Sequence, residues 1–443
     1  MYVTIINNVS ESDNPSMKKK VLILGAGYGG VFAAAYLCKE KEYYYDITLI
    51  DQNSHLELIQ QISYIILGSK DAGDVTVRID NLFRNEIGKG QIEFVEALVE
   101  SIDLNNKTVK VLKNGNTSQD HKYDYLVIAL GSETGYFDIP GAKENTLSFR
   151  SVQDALKIRK SISNLDDNST IIIGGGGPTG VSLAAALAES DALHDKNVEI
   201  KIMDASGTLL PEWDPRLIKT SEKVLTSKGI EILTRKKIQE ITPKSVITES
   251  GDQIRSDCTI WTAGVKGRSI KIAPELEKTR SDTIPVDKYF KLPGFDNAFA
   301  IGDICEFRPG SNQDQDSMKA PPPKLAQLAV RQGRFVAENI IKKEKGENLN
   351  DEFRFFQRGH TISLGHKSIA ILNGLLVTGN MCNYTEDTIV DNFITEIKNR
   401  ERGISVKARA AAKDVAAAEE TDYPAAFDFV TYATSRAYME LVK

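Results

Sequence analysis

The chain has 443 residues, enough for two or three domains each with its own core. Its net charge of −6 gives no basic surface for nucleic acid, and no stretch reads as a transmembrane helix or a signal peptide. Cys38, Cys258, Cys305 and Cys382 are widely spaced, with no CxxC pair. That spacing fits free thiols in a reducing compartment and provides neither a metal-ligand cluster nor a dithiol redox centre.

Residues 1–16 are polar and precede a second methionine, Met17, so they read as a disordered tail or a misplaced start. The first organised stretch is Val21 to Asp51. Val21-Leu22-Ile23-Leu24 is an apolar run suited to a strand buried on both faces. Gly25, Gly27 and Gly30 follow at the spacing of a dinucleotide turn. The first glycine allows the tight turn, the second admits a pyrophosphate and the third lets the helix approach the strand. Val31 to Glu40 reads as that helix, whose amino end offers N–H groups to phosphate. A second strand ends in Asp51, 21 residues past Gly30, where an acid would hold a ribose diol.

Asn53 to Gly90 reads as loop-rich, with His55 a surface histidine rather than a cofactor contact. Gln91 to Leu112 alternates like strands joined at Asn105-Asn106. Tyr123 to Leu130 is a buried strand closing on Gly131, and Asp138 to Gly141 marks a turn out of the unit. Then the opening pattern returns. Gly175, Gly177 and Gly180 match the first three glycines at a constant offset of 150, and the next strand ends in Asp204. Two such units, each in strand-turn-helix context, predict two dinucleotide sites.

The second unit continues with a helix from Pro215 to Gly229, strands at Ile230 to Leu233 and Ser245 to Thr248, and Cys258 to Ala263 ending in Gly264. Asn297 to Asp303 delivers Gly302-Asp303 at the end of another strand. The prolines 321–323 then fix the start of a helix carrying Ala326 and Gln327. Glu352 to Val377 reads as strand-rich, and the remainder as helical and charged. Two dinucleotide folds in one chain imply that one cofactor passes electrons to the other, most simply an exchangeable NADH to a tightly held FAD. The expected class is therefore α/β, with two Rossmann-like dinucleotide-binding domains and an α+β C-terminal region. The second domain is inserted in the first: residues 17–145 and 285–348 for FAD, 146–284 for NADH, and 349–443 beyond them.

The series GAGYGG, VIALGS, GGGGPTG, WTAGVKG, AIGD and PKLAQLAVRQG resembles the two-dinucleotide-binding flavoproteins. Within them it is most similar to the type II NADH dehydrogenases, the single-chain NADH:quinone oxidoreductases, from about Lys18 to about Asn380. The resemblance implies FAD on the first unit, with Asp51 on its adenosine ribose and Asp303 on its ribitol. It implies NADH on the second, with Asp204 on its ribose, and a quinone acceptor at the other flavin face near Ala326 and Gln327. Electrons would pass from NADH through FAD to quinone without proton pumping. No arginine follows Asp204 in ASGTLL, which favours NADH over NADPH. A helix starting at the prolines would stabilise negative charge on the flavin's pyrimidine edge by about 1–2 kcal/mol.

The sequence departs from that family at Ser182, where a glutamate is usual, and at Arg331, where a further glutamine is common. Serine hydrogen-bonds but cannot act as a base at neutral pH, so the acceptor and the rate are open. The basic run Lys398 to Lys413 and the apolar face Phe427, Val430, Thr434, Ala437 and Leu441 allow two readings. One is a surface bound to anionic lipid, at about 1 kcal/mol per charge. The other is a solvated helix packed on its own domain or on a homodimer partner. The expected location is the cytoplasm or the inner face of the cell membrane. Rival readings are a sulfide:quinone or other flavin oxidoreductase, which would recruit Cys305 or Cys382, and a slow NADH-binding redox sensor marked by Ser182.

Overall fold

The computed structural model describes residues 18–40, 45–308, 323–349, 353, 355, 359–372, 374–379, 382 and 394. The N-terminal tail, prolines 321 and 322, the basic run and the apolar C-terminal face discussed above lie outside the described residues.

Two parallel sheets of five strands dominate, and their strand orders correspond. The first runs Ala298–Ala300, Tyr125–Ile128, Lys19–Leu24, Tyr45–Asp51, Ile92–Glu96. The second runs Leu147–Ser148, Cys258–Trp261, Thr170–Gly174, Glu199–Met203, Glu231–Leu233. In each, the strand leading into the glycine turn is central, so its residues are apolar and continuous. Val21 to Leu24 and Ile171 to Ile173 are all buried. The edge strand Ala298–Ala300 reaches the first sheet only after the whole second sheet has been built. That return carries Gly302 and Asp303 back to the first glycine turn.

Two crossings join the units. Ser132–Thr134 leaves the first sheet after Gly131 and Val265–Gly267 leaves the second after Gly264; they pair antiparallel. This short ribbon holds the carboxyl ends of both sheets in one region, where ligands of open α/β sheets bind. Each unit also carries an antiparallel meander on its side, Leu98–Asp103 with Thr108–Lys113 and Thr117–Lys122, and Ile238–Ile241 with Ser245–Thr248 and Gln253–Arg255. Past the long helix Ala326–Glu344 come three antiparallel strands, Gly359–Ser363, Ser368–Leu372 and Leu375–Gly379. They dock on the second unit through Glu189, whose carboxylate accepts from His366 N–H at 2.7 Å and pairs with Lys228. Burial pushes the Glu189 carboxyl up, but the Lys228 ammonium and the His366 N–H outweigh it and hold it below its ordinary range.

Three expectations need correction. The first cofactor helix is Tyr28–Leu37, starting directly after Gly27 rather than at Val31. The stretch 53–90 is not mainly loop. It folds into the ribbon His55–Glu57 with Thr76–Arg78 and the short helices Ser63–Leu67, Ile79–Leu82 and Arg84–Gly88. Its leucines and isoleucines, Leu58 and Ile62 to Leu67, supply core to the second unit across the chain. The prolines also do not start the long helix. Its N-cap is Leu325, so Lys324 and Leu325 separate Pro323 from the first helical residue.

Candidate functional site

The two glycine turns match residue by residue. Gly25 and Gly175 hold φ of +101° and +121°, a region that side chains avoid. A Cβ on Gly30 would stand 1.9 Å from the Gly25 carbonyl oxygen, and one on Gly180 would stand 1.9 Å from that of Gly175. Each helix therefore lies too close to its strand for any side chain. Gly27 and Gly177 differ: no atom lies within 4 Å of the position a Cβ would take. Each is the N-cap of its helix and carries no side-chain cap, so open space meets the positive end of the helix dipole. Both turns have the room and the helix-end polarity to admit a phosphate-bearing ligand.

The two acids also behave alike, in a way the sequence did not reveal. Asp51 accepts from Ala26 N–H at 2.7 Å and Asn53 N–H at 2.8 Å. Asp204 accepts from Gly176 N–H at 2.6 Å and Ser206 N–H at 2.7 Å. Each carboxylate ties its strand end to the residue between the first two turn glycines and still has lone pairs for a ribose diol. Burial raises the Asp51 carboxyl, opposed by those backbone bonds and by the Arg268 and His55 charges. His55 itself lies half-buried, 3.8 Å from Glu57. Beside Asp204, Arg235 donates its N–H to Ser206 O at 2.8 Å. Its guanidinium comes within 3.6 Å of where a Gly207 Cβ would be. An arginine thus stands at the second loop, although none follows Asp204 in sequence.

Between the segment from Gly302 to Phe307 and the start of the long helix lies a cleft of about 310 Å³, lined by Gly302, Asp303, Cys305, Lys324, Leu328 and Gln332 among others. Buried Gln332 accepts from Gly302 N–H at 2.6 Å and locks the Gly-Asp turn to the helix. Asp303 accepts from Ser132 Oγ at 2.6 Å; Arg150 donates to the same Oγ at 2.5 Å and stands 3.7 Å from the carboxylate. Burial pulls the Arg150 pKa down, while Asp303 and Asp154 hold it up. Gly131 has φ of +71° and open space beside it, and its carbonyl accepts from Arg268 N–H at 3.2 Å. The Arg268 Nε and the Lys324 Nζ are buried with no hydrogen-bond partner among the described residues. One stands next to the open Gly131 turn and the other lines the cleft, and both fit an anionic ligand.

Gly264 packs under Phe137, whose ring would be 2.4 Å from a Cβ there, and its carbonyl accepts from Gly135 N–H at 3.0 Å. It thus shapes the crossing ribbon. Ala326 and Gln327 are half-buried in the helix's first turn and do not line the cleft, whereas Leu325 and Ala329 do. Ser182 is half-buried on the second cofactor helix, Pro178–Ala188. Arg331 lies 5.5 Å over the Phe355 ring. Cys258 and Cys305 are free thiols, and burial pushes the Cys305 thiol up to about 12 and the Cys258 thiol up to about 11. Neither is an activated nucleophile. Among the described residues no cluster of His, Cys, Asp and Glu could hold a metal ion, and no helix is long and apolar enough to cross a membrane.

Arg150, Arg268, Gln332 and Lys324 escaped the sequence reading. Only Gln332 and Lys324 carried a signal, their place in the segment after the prolines.

Known proteins bear on this arrangement. The chain is 27% identical over 403 residues to a type II NADH:quinone oxidoreductase of Staphylococcus haemolyticus, covering 86% of this chain and 96% of that one. A protein of the same name from Staphylococcus aureus is 27% identical over 404 residues, with the same coverage. Among solved structures, NDH2 from Plasmodium falciparum in complex with NADH has a TM-score of 0.74 at 18% identity, over 86% of this chain and 96% of that chain. The sulfide:quinone oxidoreductase of Aquifex aeolicus has a TM-score of 0.72 at 19% identity, over 88% and 94%. These two share the fold. The model of the pyridine nucleotide-disulphide oxidoreductases matches residues 19–333, most of the chain, and the protein belongs to that family.

Proposed function

We propose that this protein is a flavin-dependent NADH:quinone oxidoreductase, taking reducing equivalents from NADH at the second glycine turn and passing them through FAD at the first to a quinone. The observation that carries this reading is the duplication of the whole cradle: positive-φ glycine, open glycine, close-packed glycine and turn-closing acid, in both units. Relatives named for the same reaction, matched over nearly their full length, support it. FAD, when bound, supplies a ring that accepts two electrons from NADH and releases them to an acceptor.

The chain's own residues do the rest. Gly27 and the N–H groups behind it would hold the FAD pyrophosphate, with Arg268 as counter-charge and Asp51 on the ribose. Asp303, fixed by Ser132 and Arg150, would orient the ribitol, and Gly131 leaves room for it. Gly177 and Asp204 would hold the NADH pyrophosphate and ribose. The Pro178–Ala188 helix and the Gly264 turn would position the nicotinamide end beside Ser182. Positioning is the main catalytic work, because electron transfer between two rings requires no side-chain nucleophile. Ala326 and Gln327, outside the cleft, would meet the quinone. The membrane surface and a homodimer remain proposals resting on residues 398–443.

Steady-state assay of the yellow protein with a short-chain quinone tests this reading. NADH should support turnover and sulfide should not, given the buried Cys305 thiol; turnover with sulfide alone would refute it. Cofactor choice gives a second prediction. Asp204 repels a 2′-phosphate, while Arg235 beside it would attract one. Asp204→Asn should raise the NADPH/NADH ratio of kcat/KM about tenfold, equivalent to ~1.4 kcal/mol. An unchanged ratio would remove Asp204 from the ribose site.

A further inference from the structure

We propose that Lys324 sets the reduction potential of the flavin, its ammonium compensating the negative charge that the ring's pyrimidine edge acquires on two-electron reduction. This deepens the FAD reading above and rests on it. Lys324 lines the cleft with Asp303 and Leu325, and its Nζ is buried without a partner among the described residues.

The acids nearby are engaged elsewhere. Asp303 accepts from Ser132 and faces Arg150 at 3.7 Å. Glu306 accepts from Thr283 Oγ1 at 3.2 Å and pairs with Arg308 at 3.2 Å. A buried ammonium left in this way is costly unless a ligand brings the opposite charge. Burial pushes its pKa down, Asp303, Cys305 and Glu306 pull it back up, and Arg150 pushes it down again.

Position along the helix says which part of the ligand that is. Gly333 packs against the first cofactor helix, where a Cβ would stand 2.3 Å from Gly29 O. Ala326 lies seven residues nearer the helix start, about 10 Å along the axis at ~1.5 Å per residue, and Lys324 lies beyond it. The pyrophosphate belongs to the glycine-turn end. Lys324 is at the far end, where the ring of an extended FAD would lie and where the helix's own N–H groups point. The Gly302–Asp303 turn occupies the interval between them, held to the helix by Gln332.

The test compares Lys324→Met and Lys324→Arg in the full FAD-loaded chain. Readouts are the midpoint potential, the dissociation constant for sulfite (which adds to oxidised flavin and leaves negative charge on the ring) and the spectrum of the reduced protein across pH. Lys324→Met should weaken sulfite binding about tenfold or more, the scale of a lost charge-assisted contact. It should lower the potential by about 30 mV for each tenfold change in the reduction equilibrium. Lys324→Arg should stay near wild type in both. A yellow Lys324→Met protein with unchanged sulfite affinity and potential would overturn the proposal. Should that variant lose its flavin, Lys324→Gln, closer in polarity, is measured instead and is judged by the same two values. A wild-type chain that binds no flavin would sink the FAD reading itself, a different failure.

Discussion

Gly180→Ala should leave the flavin in place and slow its reduction by NADH about a hundredfold. The new Cβ would stand 1.9 Å from Gly175 O and 2.8 Å from Thr262 Oγ1, so the helix Pro178–Ala188 must move away from its strand by about an ångström to reach normal contact. That helix carries the second phosphate cradle at its amino end. Displacement on this scale costs roughly a hundredfold in the reacting geometry, about 2.7 kcal/mol, and should appear as a fall in kcat/KM for NADH. Overpacking should also lower stability by about 1–3 kcal/mol. Dithionite should still bleach the flavin, because the first cradle is untouched. The counterpart Gly30→Ala meets the same 1.9 Å conflict with Gly25 O and should instead produce a colourless protein. Substitutions 150 residues apart, sharing the same carbonyl conflict, should thus separate reduction from flavin retention. If Gly180→Ala lost the flavin while Gly30→Ala kept it, the two cofactor assignments would have to be exchanged.

Asp303→Ala should weaken FAD binding by one to two orders of magnitude. The carboxylate accepts from Ser132 and stands 3.7 Å from Arg150, so its removal takes away the nearer of the two acids that compensate a half-buried guanidinium and leaves Asp154 alone to do so. A hydrogen bond to a charged group contributes about 1.5–3 kcal/mol, which gives the expected factor of ten to a hundred in the dissociation constant. Asp303→Asn should fall between, because the amide oxygen can still accept from Ser132 without the charge that faces Arg150. Flavin retained through gel filtration, and the dissociation constant on adding FAD to apoprotein, measure both variants. A lower melting temperature with an unchanged FAD dissociation constant would assign Asp303 a purely structural role.

The residues that could be read in sequence were those whose roles are local. Gly25, Gly27 and Gly30, and their partners at 175, 177 and 180, act within one turn, so spacing alone exposes them. The terminal acids Asp51 and Asp204 lie at the end of the next strand, still within a predictable span. What remained hidden depends on chain segments meeting from far apart. Ser132 and Asp303 bond across 171 residues because the Ser132–Thr134 ribbon and the returning strand Ala298–Ala300 converge. Arg150 and Arg268 belong to no motif: Arg268 follows the ribbon strand Val265–Gly267, and Arg150 follows the edge strand Leu147–Ser148 of the second sheet. Arg235 reaches the Asp204 loop from the neighbouring strand end, so reading only the residues after Asp204 missed it. The prolines before Lys324 suggested a helix start but could not say that two non-helical residues intervene, and that offset is what leaves Lys324 in the cleft. The segment 53–90 misled for a related reason. Its short apolar patches look unorganised until the second unit supplies the surface they cover.

The division of labour between the two turns is tested most directly by an anaerobic titration of the purified chain, followed by its absorption. The account predicts one FAD per chain, full bleaching by one equivalent of NADH, and restoration of the oxidised spectrum by one equivalent of a short-chain quinone. A chain with no flavin, or a flavin that sulfide bleaches and NADH does not, would contradict it.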